Sequence, residues 1–189
     1  MPWDASQLWW AQINSEGELT SKTLVAGNNP NKSKKVSVFQ PLWSSDNKLI
    51  VSEDSYGWWN LMISSPNKDS KNEMHWERLW PMDAETAMPQ WVYGMSTAAT
   101  AGEYLLTTSC KKGQWKLSLL SRNGEISEIK QPFNNLSYLK AEEGRAVAIA
   151  SNATTGNGLL EIDLDKRSWK HYPATQAVLK NNQISIAEP

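Results

Sequence analysis

Cysteine is almost missing from this chain. Its 189 residues hold one, Cys110, which excludes an internal disulfide and any thiolate cage for zinc or an iron–sulfur cluster. Histidine is nearly as scarce: His75 and His171 are the two imidazoles, too few to build a metal centre. Net charge is small as well. The 19 Lys and Arg residues against 20 Asp and Glu leave −1, without the positive excess that draws a protein to phosphate backbones or anionic lipid. We therefore expect no nucleic-acid partner, no membrane partner and no cofactor. No apolar run approaches the roughly 20 residues of a membrane-spanning helix. Met1-Pro2-Trp3-Asp4 has neither the basic nor the apolar region of a secretion signal, so a soluble, cytoplasmic chain is expected.

What is abundant is tryptophan, with 11 Trp against two Phe. A core can be filled by any large hydrophobe, so this bias asks for a reason in packing or in stacking recognition.

Period-two alternation dominates the interpretable segments. Trp115-Lys116-Leu117-Ser118-Leu119 and Leu160-Glu161-Ile162-Asp163-Leu164 read as strands with one buried face, and Lys48 to Ser52 is a short β-branched run. No convincing amphipathic helix is present. Thr97 to Ala101 has helix-compatible alanines, but its threonines and Gly102 weaken that reading. Turn chemistry separates the runs: Asn14 to Glu18, Ser45 to Lys48, Lys111 to Gln114 and Arg122 to Glu125 carry residues that tolerate positive φ or make side-chain turns. Many short strands joined by such turns indicate an all-β sandwich, barrel or propeller.

A longer repeat selects the propeller. Leu49-Ile50-Val51 matches Tyr104-Leu105-Leu106 and Ala146-Val147-Ala148, while Leu61-Met62-Ile63 matches Leu117-Ser118-Leu119 and Ile162-Asp163-Leu164. Four strand-like runs per unit of this size are what one blade requires. Units are expected over 37–80, 85–129 and 134–172, after an incomplete one over 1–27 that holds only a third strand, Leu8 to Ile13, and a fourth, Thr20 to Val25. The expected fold is a partial β-propeller of about three and a half blades of four-stranded antiparallel sheets. Ser65 to Met74 reads as an inserted surface hairpin tip. Trp43 and Trp91, in similar Pro-x-Trp and Pro-Gln-Trp settings, are expected at equivalent inter-blade core positions.

Phe39-Gln40-Pro41-Leu42-Trp43-Ser44-Ser45-Asp46-Asn47 resembles the W-S-P-D-G turn of TolB-like blades, and Ser55-Tyr56-Gly57-Trp58-Trp59-Asn60-Leu61 resembles the G-W-W-N-L stretch that follows it. Met1 to Asp4 with Leu8-Trp9, and Pro89 to Ser96, are similar to segments of acylaminoacyl-peptidase-like members of the prolyl oligopeptidase family of serine peptidases. The resemblance covers essentially the whole chain, as the C-terminal part of that family's propeller, and makes Trp43, Ser44, Asp46, Gly57 and Trp91 its structural blade motif. Ser45 and Asn47 replace the usual Pro and Gly of the turn, and Asn tolerates the left-handed conformation needed there. Residues 173–189 look like the connection toward a catalytic domain that lies outside the chain. The resemblance implies a non-catalytic module that gates or docks short peptides for a serine-hydrolase domain of an aminopeptidase or acylaminoacyl-peptidase type.

The residues agree that the catalytic set is missing, because no G-x-S-x-G elbow occurs. Gly94-Met95-Ser96-Thr97-Ala98 comes nearest, and Ser96 reads as part of a blade strand or its approach. His171 reads as a surface side chain near a strand end, and His75 as structural. Glu142-Glu143 and the pair Asp163 and Asp165 read as turn and surface charge, Lys32, Lys34 and Lys35 as a solvated link, and Cys110 as a semi-buried thiol without a catalytic role. Adjacent tryptophans on a strand point to opposite faces, so at most one of Trp9-Trp10 and one of Trp58-Trp59 can enter the same sheet interface. The other either packs against a loop or blade rim or lines the mouth through which a peptide passes. Trp58, Trp59 and Asn60 are the candidate peptide or partner contacts. A different class of reading remains: a stand-alone propeller for protein or glycan interaction, possibly closing its ring as a homodimer.

Overall fold

The computed structural model describes the chain except residues 30–32, 67–73, 89, 122, 177–178 and 187–189. It is all-β, a partial propeller. Fourteen strands form three four-stranded antiparallel sheets and one two-stranded sheet, and a single 3-10 turn at Asn181–Gln183 is the one helical element among the described residues.

The chain falls into two units, Met1–Asp83 with Pro89–Trp91, and Ala84–Met88 with Val92–Pro189. The first holds the hairpin of β1 (Gln7–Ile13) and β2 (Leu19–Gly27), then the meander β3 (Val38–Trp43), β4 (Leu49–Glu53), β5 (Asn60–Pro66) and β6 (Met74–Arg78). The second holds β7 (Ala98–Ala101), β8 (Tyr104–Lys111), β9 (Gln114–Leu120) and β10 (Ile126–Glu128), then β11 (Asn135–Glu142), β12 (Arg145–Ser151), β13 (Gly158–Asp163) and β14 (Ser168–Pro173). The runs read as repeats in the sequence are the second and third strands of the four-stranded sheets: β4, β8 and β12, then β5, β9 and β13 with the residue that follows it. Thr97 to Ala101 is not helical; its alanines enter β7. Of the inserted tip, Ser65 and Pro66 end β5 and Met74 begins β6, and the remainder lies outside the described residues.

The turns follow from side-chain chemistry. In three of them the residue opening the turn donates its N–H to the carbonyl four residues on and accepts from the N–H three residues on: Asn14 with Glu18 and Gly17, Ser44 with Lys48 and Asn47, Ser121 with Glu125 and Gly124. The third residue on must be left-handed. Gly17 and Gly124 do this without a side chain, and Asn47 does it at φ 59°. Ser44 tightens its turn by donating Oγ–H to Asp46 Oδ1 at 2.6 Å and accepting from the Lys48 N–H at 2.9 Å. Bonds from Lys48 and then Ser44 pull the Asp46 carboxyl down to about 2. The sign follows from the depression. Whatever this carboxylate adds to the turn is present above the unfolded value near 3.9 and is lost as pH falls toward 2. Carboxyl NMR should give a midpoint near 2, and Lys48→Ala should move it upward; an unmoved midpoint would show that the ion pair does not act.

In the second unit the core is an interface between sheets. Leu106, Leu117 and Leu119 from one meet Leu136, Ala148, Leu160 and Ile162 from the other. Strand β12 turns Ala146, Ala148 and Ala150 inward and Val147 and Ile149 outward, and the register sets Ala148 beside Leu160 and Ala146 beside Ile162. Small beside large lets the opposing leucines interdigitate. Ser96 ties the sheets together: Leu139 donates its N–H to Ser96 O at 3.0 Å, and Ser96 donates Oγ–H to Leu139 O at 2.7 Å. The first unit has a smaller core of Ala26, Val38, Leu49, Val51 and Met62.

Candidate docking surface

One end of the first unit gathers aromatic side chains around the turn between β4 and β5. Asp54 anchors that turn: its Oδ1 accepts the Ser37 N–H at 2.7 Å and its carbonyl accepts the Gly57 N–H at 3.0 Å. Gly57 closes the turn at φ 91°, a conformation that a Cβ would strain. Tyr56 projects outward beneath the Arg78 guanidinium, 4.5 Å from its ring centroid. Trp58 is 40% exposed, whereas Trp59 turns inward with its ring edge-on to Phe39 at 6.4 Å. The pair lies in the turn before β5 rather than on a strand, so the difference comes from the turn and not from strand alternation. Ser37 also binds the Pro2 carbonyl, bringing the N-terminal approach to this end with Trp3, which packs on Trp91 at 6.0 Å.

Three expectations need correction. Asn60 is fully buried and serves the fold: its Oδ1 accepts from the Met82 N–H at 2.8 Å and from Arg78 Nη2 at 3.2 Å, and its Nδ2 donates to Trp59 O. A side chain so enclosed meets no peptide. Trp43 and Trp91 are not core residues, with 51% and 76% of their surfaces exposed. Nor are they equivalent, because Trp43 ends β3, where it meets Trp10 edge-on at 5.4 Å, while Trp91 lies in a turn well before β7. Their sequence settings match, but the chain between Trp91 and β7 is an irregular linker. In the Trp9-Trp10 pair neither side chain is buried.

The nearest thing to catalytic chemistry is engaged in structure. Ser96 is buried with its hydroxyl committed to Leu139. A His171 ring nitrogen lies 3.2 Å from Ala150 O, and the ring stacks on Phe133 at 4.4 Å. His75 is exposed, 3.6 Å from Glu77. Burial pushes the Cys110 thiol up, which weakens it as a nucleophile. Glu142 ends β11 and Glu143 opens the turn after it, both exposed, and the Lys166 ammonium bonded to Asp163 at 2.8 Å holds that carboxyl below the usual range. Lys34 binds the Ser55 carbonyl, Lys35 is exposed, and Lys32 lies outside the described residues. Among the described residues no group of three or more His, Cys, Asp or Glu side chains could hold a metal, and no helix is long and apolar enough to cross a membrane.

Tyr56 and Arg78 were not singled out by sequence. Tyr56 stood next to the Gly-Trp-Trp run and was readable as part of it. Arg78 becomes a neighbour only through strand pairing, since β6 returns it beside the start of β5.

Solved structures share this fold. A puromycin hydrolase matches 93% of the chain with a TM-score of 0.78 at 24% identity, over 26% of its own length. A puromycin-hydrolyzing peptidase of Mycobacterium tuberculosis matches 96% with a TM-score of 0.82 at 23% identity, over 27% of its length. The fold recurs in peptidases. Prolyl oligopeptidase B of Galerina marginata matches 96% with a TM-score of 0.67 at 10% identity, over 24% of its length. The chain thus spans about a quarter of each of these proteins. No family model and no curated protein matches its sequence.

Proposed function

We propose that this chain is a non-catalytic propeller module of a serine oligopeptidase of the prolyl oligopeptidase family, gating or docking short peptides for the hydrolase domain of that peptidase. The observation that carries the reading is the agreement of nearly the whole chain with part of a puromycin-hydrolyzing peptidase, together with the blade-turn residues Trp43 to Asn47 and Gly57 to Leu61. Within the chain, Trp58, Tyr56 and Arg78 supply what an unselective peptide site uses: broad apolar faces and a cation that stays charged. Trp59 supports that surface from beneath through Phe39. The setting is cytoplasmic, and the partner is the serine-hydrolase domain.

Titration of short unblocked peptides into the chain, followed by tryptophan fluorescence and calorimetry, tests this. Trp58→Ala should weaken binding by about tenfold, as truncation of an aromatic anchor does, with little change in stability. Failure of the parent chain to bind any short peptide, or an unchanged affinity in Trp58→Ala, would remove the docking role. A fluorophosphonate probe should leave the chain unlabelled; labelling at Ser96 would overturn the non-catalytic assignment.

A further inference from the structure

Arg78 carries a charge that the fold does not use. It ends β6 and is exposed, on the strand face shared with Met74 and Trp76; Glu77, its neighbour in sequence, projects from the opposite face and meets His75 at 3.6 Å. Among the described residues no carboxylate pairs with the Arg78 guanidinium, which meets Asn60 Oδ1 at 3.2 Å and lies 4.5 Å from the Tyr56 ring centroid. Lys48, by contrast, is neutralised within its own turn by Asp46 at 2.8 Å.

What Arg78 does for the fold needs no charge. Asn60 is fully buried and its oxygen already accepts the Met82 N–H at 2.8 Å, so Arg78 supplies a second donor to it, a task that a neutral amide of the same reach would perform. What the fold does for Arg78 is larger. An enclosed oxygen fixes Nη2, and the ring of Tyr56, on the turn that Asp54 anchors, lies against the guanidinium. A long, flexible side chain is thereby held in one position before any ligand arrives, with most of its five N–H donors left over. Asn60, Tyr56, Trp58 and Arg78 all belong to the four-stranded sheet β3–β6 and the turn within it, so the site is built inside one complete blade.

We propose that Arg78 is the specificity determinant of the docking surface, capturing the C-terminal carboxylate of a short peptide while Tyr56 and Trp58 take up the apolar part beside it. This rests on the peptide-docking reading and adds the feature by which a peptide is chosen and the direction in which it lies. Guanidinium and carboxylate match fork to fork, in two parallel N–H···O bonds. The surroundings select the main-chain carboxylate over an acidic side chain. Tyr56 and Trp58, 57% and 40% exposed, offer broad faces that discriminate little among side chains. A single fixed charge beside such faces serves best against a group that every unblocked short peptide carries. The same charge repels the terminal ammonium, which orients the peptide with its C-terminus at Arg78.

Calorimetry on the parent chain tests this without any variant. The tripeptide Ala-Ala-Phe as the free acid should bind about tenfold or more tightly than its C-terminal amide, and acetylating its N-terminus should leave the affinity unchanged or raise it. Ala-Asp-Phe amide, whose one carboxylate is on a side chain, should bind no better than Ala-Ala-Phe amide. Arg78→Gln, with folding checked by far-UV circular dichroism, should lose the difference between acid and amide, and Arg78→Lys, which keeps the charge without the fork, should retain part of it. Equal affinity for acid and amide, or a preference that survives Arg78→Gln in a folded chain, would overturn the assignment and leave the docking role standing. So would a loss of binding on acetylation, or an Ala-Asp-Phe amide that binds as tightly as the free acid. Binding of none of these peptides would remove the docking role itself, and this proposal with it.

Discussion

Leu160→Ala should lower stability by about 2–5 kcal/mol, the range for deleting a fully buried leucine whose surroundings cannot collapse. Leu160 has no exposed surface and sits in the interface between the two sheets of the second unit. Its neighbour across β12 is Ala148, already too small to move into the space, and across β14 it is His171, which is held against Phe133 and Ala150. The cavity would therefore persist. The adjacent residue is the control. Leu159 lies on the opposite face, 43% exposed, and Leu159→Ala should cost less than about 1 kcal/mol. Urea unfolding of both variants, compared by midpoint at constant slope, checks the contrast. Equal losses would mean that the inter-sheet interface is not the structural centre of this unit.

Asn60→Ala should cost about 2–4 kcal/mol, for a different reason. The side chain occupies no large volume, but its carbonyl oxygen satisfies the Met82 N–H and holds Arg78. Truncation leaves a backbone donor without its acceptor, and a buried unsatisfied group costs about 1–3 kcal/mol before any void is counted. Asn60→Asp separates donor from acceptor. It keeps an oxygen for Met82 and adds a charge for Arg78 while losing the bond to the Trp59 carbonyl, so it should recover a large part of the loss. If Asn60→Asp destabilises as much as Asn60→Ala, the acceptor role is wrong. Because Arg78 also lies over Tyr56, Asn60→Ala should loosen the docking surface indirectly, lowering peptide affinity together with stability. Trp58→Ala should lower affinity alone.

The two cases mark where sequence reading succeeds. The alternation in β9 and β13 showed which leucines share a face, and Asn14 and Ser44 announced their turns through short side chains that bond within the turn, Asn47 through its tolerance of the left-handed conformation. Such signals are local, and the structure honours them. Tryptophan exposure was not legible in the same way. Trp43 and Trp91 have similar neighbours in sequence, yet one closes a strand and the other lies in a linker, because what covers an indole is set by segments distant in the chain. Asn60 shows the same limit for a polar residue. Beside two tryptophans it looked like a contact, and only the return of β6 and Met82 reveals that its groups are already taken.

Strand periodicity, turn residues and the blade-sized repeat by themselves determined that this chain is all-β and built from meandering sheets, since hydrogen bonding within a hairpin and alternation across a pleat depend on residues close together. Tertiary structure alone decided which side chains are available for recognition: it buried Asn60, left Trp58 partly exposed and brought Arg78 over Tyr56. Availability is a property of what packs against a residue from elsewhere in the chain, and no short stretch of sequence contains that information.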